Sequence, residues 1–485
     1  MLFNSIHYLI FLPIVYTIFW LIPYSKNFKN IIQKQNFLLL ISSYIFYAFW
    51  DIRFLLLLIF STFLDYFSGL KIYHSENPRN KKIWFWISII SNLSVLLVFK
   101  YFNFFVANIS NSFESIGIHV NIITLQIALP VGISFYTFHG ISYVIDIFQN
   151  KTEPEKNLLN YSLFVCFFPL LVAGPIERAQ HLIPQLKTLK KFNRQQSVMG
   201  LQQILWGFFK KIVIADNCAI YVNQIFNNYN EHNSLTLLLG AVLFSFQIYG
   251  DFSGYSDIAL GSARLFGIEL LNNFNYPYFS KNIADFWKRW HISLTSWFRD
   301  YLYIPMGGNR VSKLKQIYNT IVVFTVSGFW HGANWTYIFW GFLNSIFILP
   351  NNLALKLPAF HNQQSSFTHK MVSSFQIAFN FLLISLIWVF FRSPDIGSAF
   401  DFIFQIFTKD FSIMISLMGK RHLSQVLILI FSFYAFEFIG RKHLCPLYQA
   451  NLWKSKTLKW IFYYMIIFLI LYYYRGNSEF IYFQF

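Results

Sequence analysis

The chain has 485 residues, 56% hydrophobic and only 12% charged, whereas soluble domains carry charge on roughly a quarter of their residues. This composition excludes a soluble globular protein and, with the pattern of apolar segments, predicts an all-α polytopic membrane protein of about 11–13 such segments, with re-entrant and interfacial helices. Lys and Arg outnumber Asp and Glu 38 to 20, but the cations are spread through short loops between apolar segments, so the positive-inside rule accounts for them without nucleic acid.

Ile6 to Tyr24 forms the first span, and it lacks the basic start and small-residue cleavage site of a signal peptide. The next loop carries Lys26, Lys29 and Lys34, which places it in the cytoplasm and the N-terminus outside. Phe37 to Trp50 leaves, and Phe54 to Leu70 returns to a second basic loop with Lys71, Arg79, Lys81 and Lys82. Ile83 to Phe99 exits again. Tyr101 to Asn121 has no Lys or Arg and suits an outer loop, and Ile122 to Phe148 comes back, interrupted at Pro130 and Gly132.

Asn157 to Ile176 is apolar yet has basic residues on both flanks, which predicts a re-entrant segment broken at Pro169 and Gly174-Pro175. Broken backbone at membrane depth is tolerated where it lines a protein cavity. Leu201 to Phe226, interrupted by Lys210-Lys211, is expected partly in the inner interface. Leu235 to Phe266 contains two glycines four apart, Gly250 and Gly254, among Asp251 and Asp257. These acids are either a polar cavity wall or caps of broken helix ends at a close helix crossing.

At 100° per residue, Asp285 to Leu302 reads as one interfacial amphipathic helix. Phe286, Trp287, Trp290, Leu294, Trp297 and Phe298 share one arc; Lys288, Arg289 and Arg299 lie on the other, with His291 on the border. After Arg310, Lys313 and Lys315, the chain runs from Gln316 to Leu355 for 40 residues without Asp, Glu, Lys or Arg. That length suffices for two passes, and it holds Ser327-Gly328-Phe329-Trp330-His331-Gly332-Ala333-Asn334-Trp335. A titratable ring at that depth points to function; the structural alternative is a packing histidine bonded to a neighbouring carbonyl. Further apolar segments run over 375–391, 402–418 (interrupted by Lys409-Asp410), 426–439 and 460–474, and the terminal 480–485 is expected outside. Three separated cysteines, Cys166, Cys218 and Cys445, suggest neither a disulfide framework nor a metal site. No soluble domain interrupts the chain, so residues 1–485 are expected to form a single integral-membrane domain with a motif-bearing core at 122–341.

Several motifs then occur in order: Leu129-Pro130-Val131-Gly132-Ile133-Ser134-Phe135-Tyr136; Ala173-Gly174-Pro175-Ile176; Tyr249 through Asp257; Trp287-Lys288-Arg289-Trp290-His291-Ile292-Ser293-Leu294, continuing to Asn309-Arg310; and Trp330 through Trp335. Together they resemble the membrane-bound O-acyltransferases, in the bacterial branch of alginate and peptidoglycan O-acetyltransferases. The resemblance implies His331 as catalytic histidine and His291 as the second histidine of the site. It also implies that the helices surround a central funnel through the membrane, with acetyl-CoA as donor entering from the cytoplasm and no permanently bound cofactor. The acetyl group is expected to pass to an extracytoplasmic polysaccharide through a periplasmic partner, across the bacterial inner membrane.

Acyl transfer to a hydroxyl needs a base, a donor to the oxyanion and exclusion of water. A neutral buried imidazole at His331 suits the first, and Asn334, Trp330 or His291 the second. Lys288, Arg289, Arg299 and Arg310 suit the donor's phosphates, or equally anionic lipid. D-alanyl transfer to cell-wall polymers is the nearest alternative. A transporter or flippase would also use broken helices, although no pair of similar halves is visible. A non-catalytic scaffold would leave the histidines dispensable.

Overall fold

The computed structural model describes residues 1–22, 27–119, 124–125, 129–352, 366–411, 419–448, 455–476 and 480–481. Among them all regular structure is helical, seven helices are long and apolar enough to cross a membrane, and four more are shorter and apolar. Large apolar side chains stand exposed along these helices, among them Phe375 at 71% and Phe431 at 74%. Surfaces of that kind suit lipid and not water, and the chain is a multi-pass membrane protein. It divides into two compact units, 1–204 with 258–271, and 205–257 with 272–485.

The first unit holds α1 (Ile6–Leu21), α2 (Phe28–Ala48), α3 (Ile52–His74), α4 (Pro78–Leu96), α5 (Phe102–Glu114) and α6 (Ile133–Phe148). One buried polar cluster lies inside it: Asn92 Nδ2 and Ser88 Oγ both donate to buried Asp65, at 2.8 and 2.6 Å. One expectation fails here. Tyr101 to Glu114 is helix and not loop, because the chain passes from α4 into α5 through a π turn at Leu97–Tyr101; an absence of Lys and Arg marks a side of the membrane, not a conformation. Positions 120–121 of the expected outer loop, and 122–123 and 126–128 of the segment expected to return, lie outside the described residues.

The interruption at Pro130 and Gly132 is a helix start. Gly132 has φ +72°, and a Cβ there would stand 2.1 Å from the Leu171 carbonyl oxygen, so only glycine fits. The expected break within 157–176 is also present: α7 (Leu158–Cys166) stops at extended Phe167, α8 (Phe168–Leu171) is a single turn, and α9 (Ala179–Leu186) follows.

In the second unit, the lysine pair at 210–211 does not mark an interface. α10 (Arg194–Phe208) and α11 (Asp216–Asn227) are joined by a π segment, Phe209–Ala215, into one helical run. Both lysines are buried: Lys210 pairs with Asp257 at 2.6 Å, and Lys211 with Asp251 at 2.7 Å and Asp216 at 2.8 Å. Asp251 and Asp257 sit inside the unbroken α12 (Ser234–Leu265), so they cap no helix end. The close crossing is present: a Cβ on Gly254 would lie 2.8 Å from the Gly207 carbonyl oxygen, and one on Gly250 3.0 Å from that of Lys210.

The single amphipathic helix expected over 285–302 is two short helices, α13 (Ile283–Trp287) and α14 (Ile292–Phe298), followed by a π turn at Arg299–Tyr303. Periodicity averages over such a break and cannot register it. The unit continues with α15 (Lys313–His331), α16 (Trp335–Asn352), α17 (Ser366–Arg392), α18 (Ile396–Thr408), α19 (Lys420–Gly440) and α20 (Lys456–Tyr473). Positions 412–418 and 482–485, expected in the last part of one apolar segment and in the outer terminus, lie outside the described residues.

Candidate active site

α15 and α16 form a hairpin held by glycines. A Cβ on Gly328 would lie 2.1 Å from the Tyr337 carbonyl oxygen, one on Gly341 2.2 Å from that of Phe324, and one on Gly332 2.3 Å from the Tyr337 ring. The two glycines beside His331 therefore serve contact between backbones and rings of the same hairpin. His331 is the last residue of α15, at the hairpin tip. At 1.5 Å per residue, that puts it about 27 Å from Lys313 along the helix.

His291 occupies the break between α13 and α14 with φ +42° and ψ 53°. A non-glycine residue in the left-handed region costs roughly 1–2 kcal/mol and persists where surroundings over-determine it. Here they do. Ile292 N donates to Asn273 O at 2.9 Å, Asn275 N to Arg289 O at 2.9 Å, and Ser293 Oγ to Asn273 Oδ1 at 2.6 Å, while Asn273 Nδ2 reaches Ser256 Oγ at 3.1 Å. Without the turn, His291 would follow the helix. With it, the ring points into the core at 1% exposure.

The two imidazoles meet, with ring centroids 6.3 Å apart. Aromatic rings enclose them: His331 packs against Trp330 at 5.0 Å, Trp340 at 5.3 Å and Phe391 at 5.5 Å, and His291 edge-on against Phe252 at 4.7 Å. His331 is 3% exposed. Burial pushes the His291 pKa down to about 3, so its imidazole is neutral at ordinary pH. An enclosed aromatic pocket of this kind suits proton transfer from a hydroxyl and limits the access of competing water.

The other expected site residues divide. Trp330 joins the histidines, 6.0 Å from His291. Asn334 does local work: its Oδ1 accepts from Thr336 N at 3.0 Å at the start of α16, and its Nδ2 donates to Pro394 O at 3.0 Å. Lys288 and Arg299 line a cavity of 350 Å³ together with Thr295, Asn309 and Ser327, the last one helical turn before His331. Trp287 also lines it and packs on Trp340, whose ring meets His331, so aromatic rings stand between cavity and histidines. Arg289 is paired with Asp285 at 2.9 Å, and Arg310 is exposed in the loop before α15. Asp251 and Asp257 are tied to the buried lysines.

Sequence reasoning missed Asn273, Ser293 and Phe252. Nothing in the pattern 271–275, Leu-Asn-Asn-Phe-Asn, tells which asparagine reaches the histidine turn.

A family model described as MBOAT, membrane-bound O-acyltransferase family, matches residues 155–392, which include both histidines. The chain is 37% identical over 427 residues to a peptidoglycan O-acetyltransferase of Helicobacter pylori, covering 82% of this chain and 78% of that one. It is 38% identical over 372 residues to a protein named probable alginate O-acetylase in Pseudomonas aeruginosa, covering 76% and 68%. With a teichoic acid D-alanyltransferase of Bacillus subtilis it shares 31% over 226 residues, covering 44% and 57%. With two histidines meeting in a buried aromatic pocket inside the matched region, the chain belongs to the membrane-bound O-acyltransferase family.

Proposed function

We propose that the protein is a membrane O-acetyltransferase that moves acetyl from cytoplasmic acetyl-CoA to a hydroxyl on the other side of the bacterial inner membrane, for O-acetylation of a cell-surface polysaccharide. The observation that carries this reading is the meeting of His291 and His331 in one buried pocket. The names of the Helicobacter and Pseudomonas relatives favour acetyl as the group and peptidoglycan, alginate or a related glycan as its destination.

In the proposed step the acceptor oxygen attacks the thioester carbonyl carbon while His331 takes the hydroxyl proton. The tetrahedral oxyanion is stabilised by donors at its side, neutral His291 or Trp330. The C–S bond then breaks, the sulfur takes a proton and leaves as coenzyme A thiol, and the new ester remains on the acceptor. Lys288 and Arg299, at the 350 Å³ cavity, hold the donor's phosphates on the side of the basic loop at 310–315. The acetyl group leaves toward a periplasmic partner that delivers it to the glycan, with both chain termini on that outer side.

The test is acetyl transfer by the purified full chain with labelled acetyl-CoA and its acceptor system. His331→Ala should lower the rate by about 10²–10⁴-fold, the range for a general base, while elution in detergent stays unchanged. His291→Ala should also lower it, by less. Wild-type transfer by His331→Ala would overturn the assignment, and a preference for a D-alanyl donor would transfer it to the chemistry named for the Bacillus relative.

A further inference from the structure

Parts of α11, α19 and the end of α20 meet at a histidine that the proposed reaction does not use, His422. We infer that it is an acid-sensitive latch: unprotonated, His422 fastens the end of α20 to α11 and α19, and protonation releases it.

The hydrogen bonds fix the protonation state of the ring. Arg475, two residues beyond α20, can only donate, and its Nη2 lies 3.0 Å from His422 Nε2, so that nitrogen accepts. A neutral imidazole then carries its proton on Nδ1, which lies 2.8 Å from the Tyr221 hydroxyl, and that hydroxyl donates onward to Gly419 O at 3.1 Å. The His422 and Tyr221 rings also stack, 5.7 Å apart at 28°. A proton added at Nε2 would remove the acceptor that holds Arg475 and set two cations side by side. Opening therefore takes up a proton, and acid favours it. The other charged or titratable groups around the ring are Tyr221 on α11, Tyr473 on α20, whose ring lies 6.2 Å away, and exposed Arg421 beside it on α19. Among the described residues no Asp or Glu pairs with His422 or Arg475, so nothing acidic offsets the repulsion.

What the latch holds is the last helix and the chain beyond it. Within α20 only Ile466 and Tyr473 are buried, so few side chains fasten that helix. Five residues beyond Arg475, Phe480 is fully buried and stacks on Tyr255 at 4.4 Å and 26°, and Ile481 N donates to Asp251 Oδ2 at 2.6 Å. Phe480 also lies 6.1 Å from Phe252, the ring that packs on His291. Arg475 and Ile481 are thus two anchor points of one short stretch, the second beside the wall of the histidine pocket. Arg475 is exposed and His422 half-buried, so protons from solvent reach the first anchor and not the second.

The experiment is hydrogen exchange of the full chain in detergent, read on peptides spanning 466–476; comparing proteins at one pH cancels the effect of pH on chemical exchange. His422→Gln keeps an acceptor toward Arg475 and a donor toward Tyr221 but cannot take up a proton. At pH 8 it should exchange like the wild type. At pH 5 the wild type should exchange faster than the variant by about tenfold or more, the loss of one charge-assisted bond. Arg475→Gln, which removes the repelled cation, should likewise escape the acceleration at pH 5, and it serves as the reference where His422→Gln does not fold. Equal exchange by wild type and His422→Gln at pH 5 would overturn the latch, as would an acceleration that persists in Arg475→Gln. Exchange needs no acetyl transfer, so the latch and the acetyltransferase reading can fail independently.

Discussion

Histidine does two different jobs in this chain, decided by what surrounds each ring. His291 is buried among Phe252, Trp330 and His331, and burial alone keeps it neutral. His181, in the short amphipathic α9, is half-buried with Nδ1 2.8 Å from the Glu177 carboxylate, and that hydrogen bond raises its pKa above 6.5 against a smaller opposing effect of burial. Glu177 in turn accepts from Leu271 N at 2.6 Å, so the pair fastens 271 to α9 within the first unit. The linkage has a definite sign. A histidine whose folded pKa is raised binds its proton more tightly when folded, so its stabilisation is complete below about pH 6.5 and disappears as pH rises through the raised value. Thermal unfolding in detergent between pH 6 and 9 should show wild-type Tm falling toward the His181→Gln value as pH rises. A constant gap between the two proteins across that window would refute a protonated His181.

The hairpin of α15 and α16 shows how small residues place a reactive one. Gly328 lies one turn before the tip, and its missing side chain is what lets the Tyr337 carbonyl come so close. Gly328→Ala must therefore push the two helices apart. Overpacking of this kind costs about 1–3 kcal/mol, and the displacement falls on His331, three residues on. The expected outcome is a lower Tm together with acetyl transfer well below wild type; a wild-type Tm would show that the hairpin does not need the close approach. This part was legible in the sequence, where glycines bracket a histidine in an uncharged run. The 250–254 crossing was legible in the same way. The break at His291 was not, because left-handed backbone at a histidine leaves no mark on an amphipathic pattern, and the residues enforcing it, Asn273 and Ser256, are remote in sequence. Nor were the lysine partnerships. Lys210-Lys211 in an apolar run looks like an interface, and only the fold shows three acids around the pair. Truncating one partner of such a buried set leaves a charge without compensation, so this cluster constrains the α11–α12 packing as strongly as the glycines do.

At the scale of the whole molecule, the direction of transfer depends on which side of the membrane each end of a helix faces. α4 and α5, with the π turn between them, form one run from Pro78 to Glu114 of 37 residues. At 1.5 Å per residue this is about 55 Å, well beyond a hydrocarbon core of about 30 Å, so both of its ends reach water. Only its N-terminal end is basic, with Arg79, Lys81 and Lys82, whereas the end at Glu114 and Ser115 is exposed and carries no cation. The positive-inside rule then puts Glu76 in the cytoplasm and Ser115 outside. The three native cysteines are buried, which makes single-cysteine labelling practicable without removing them. In cells, Glu76→Cys should react with an impermeant maleimide only after the membrane is opened, and Ser115→Cys should react before. By the same rule the loop at 310–315, with Arg310, Lys313 and Lys315, is expected inside. Labelling of both cysteines from one side would contradict a spanning α4–α5 run, and exchanged sides would invert the direction of acetyl transfer.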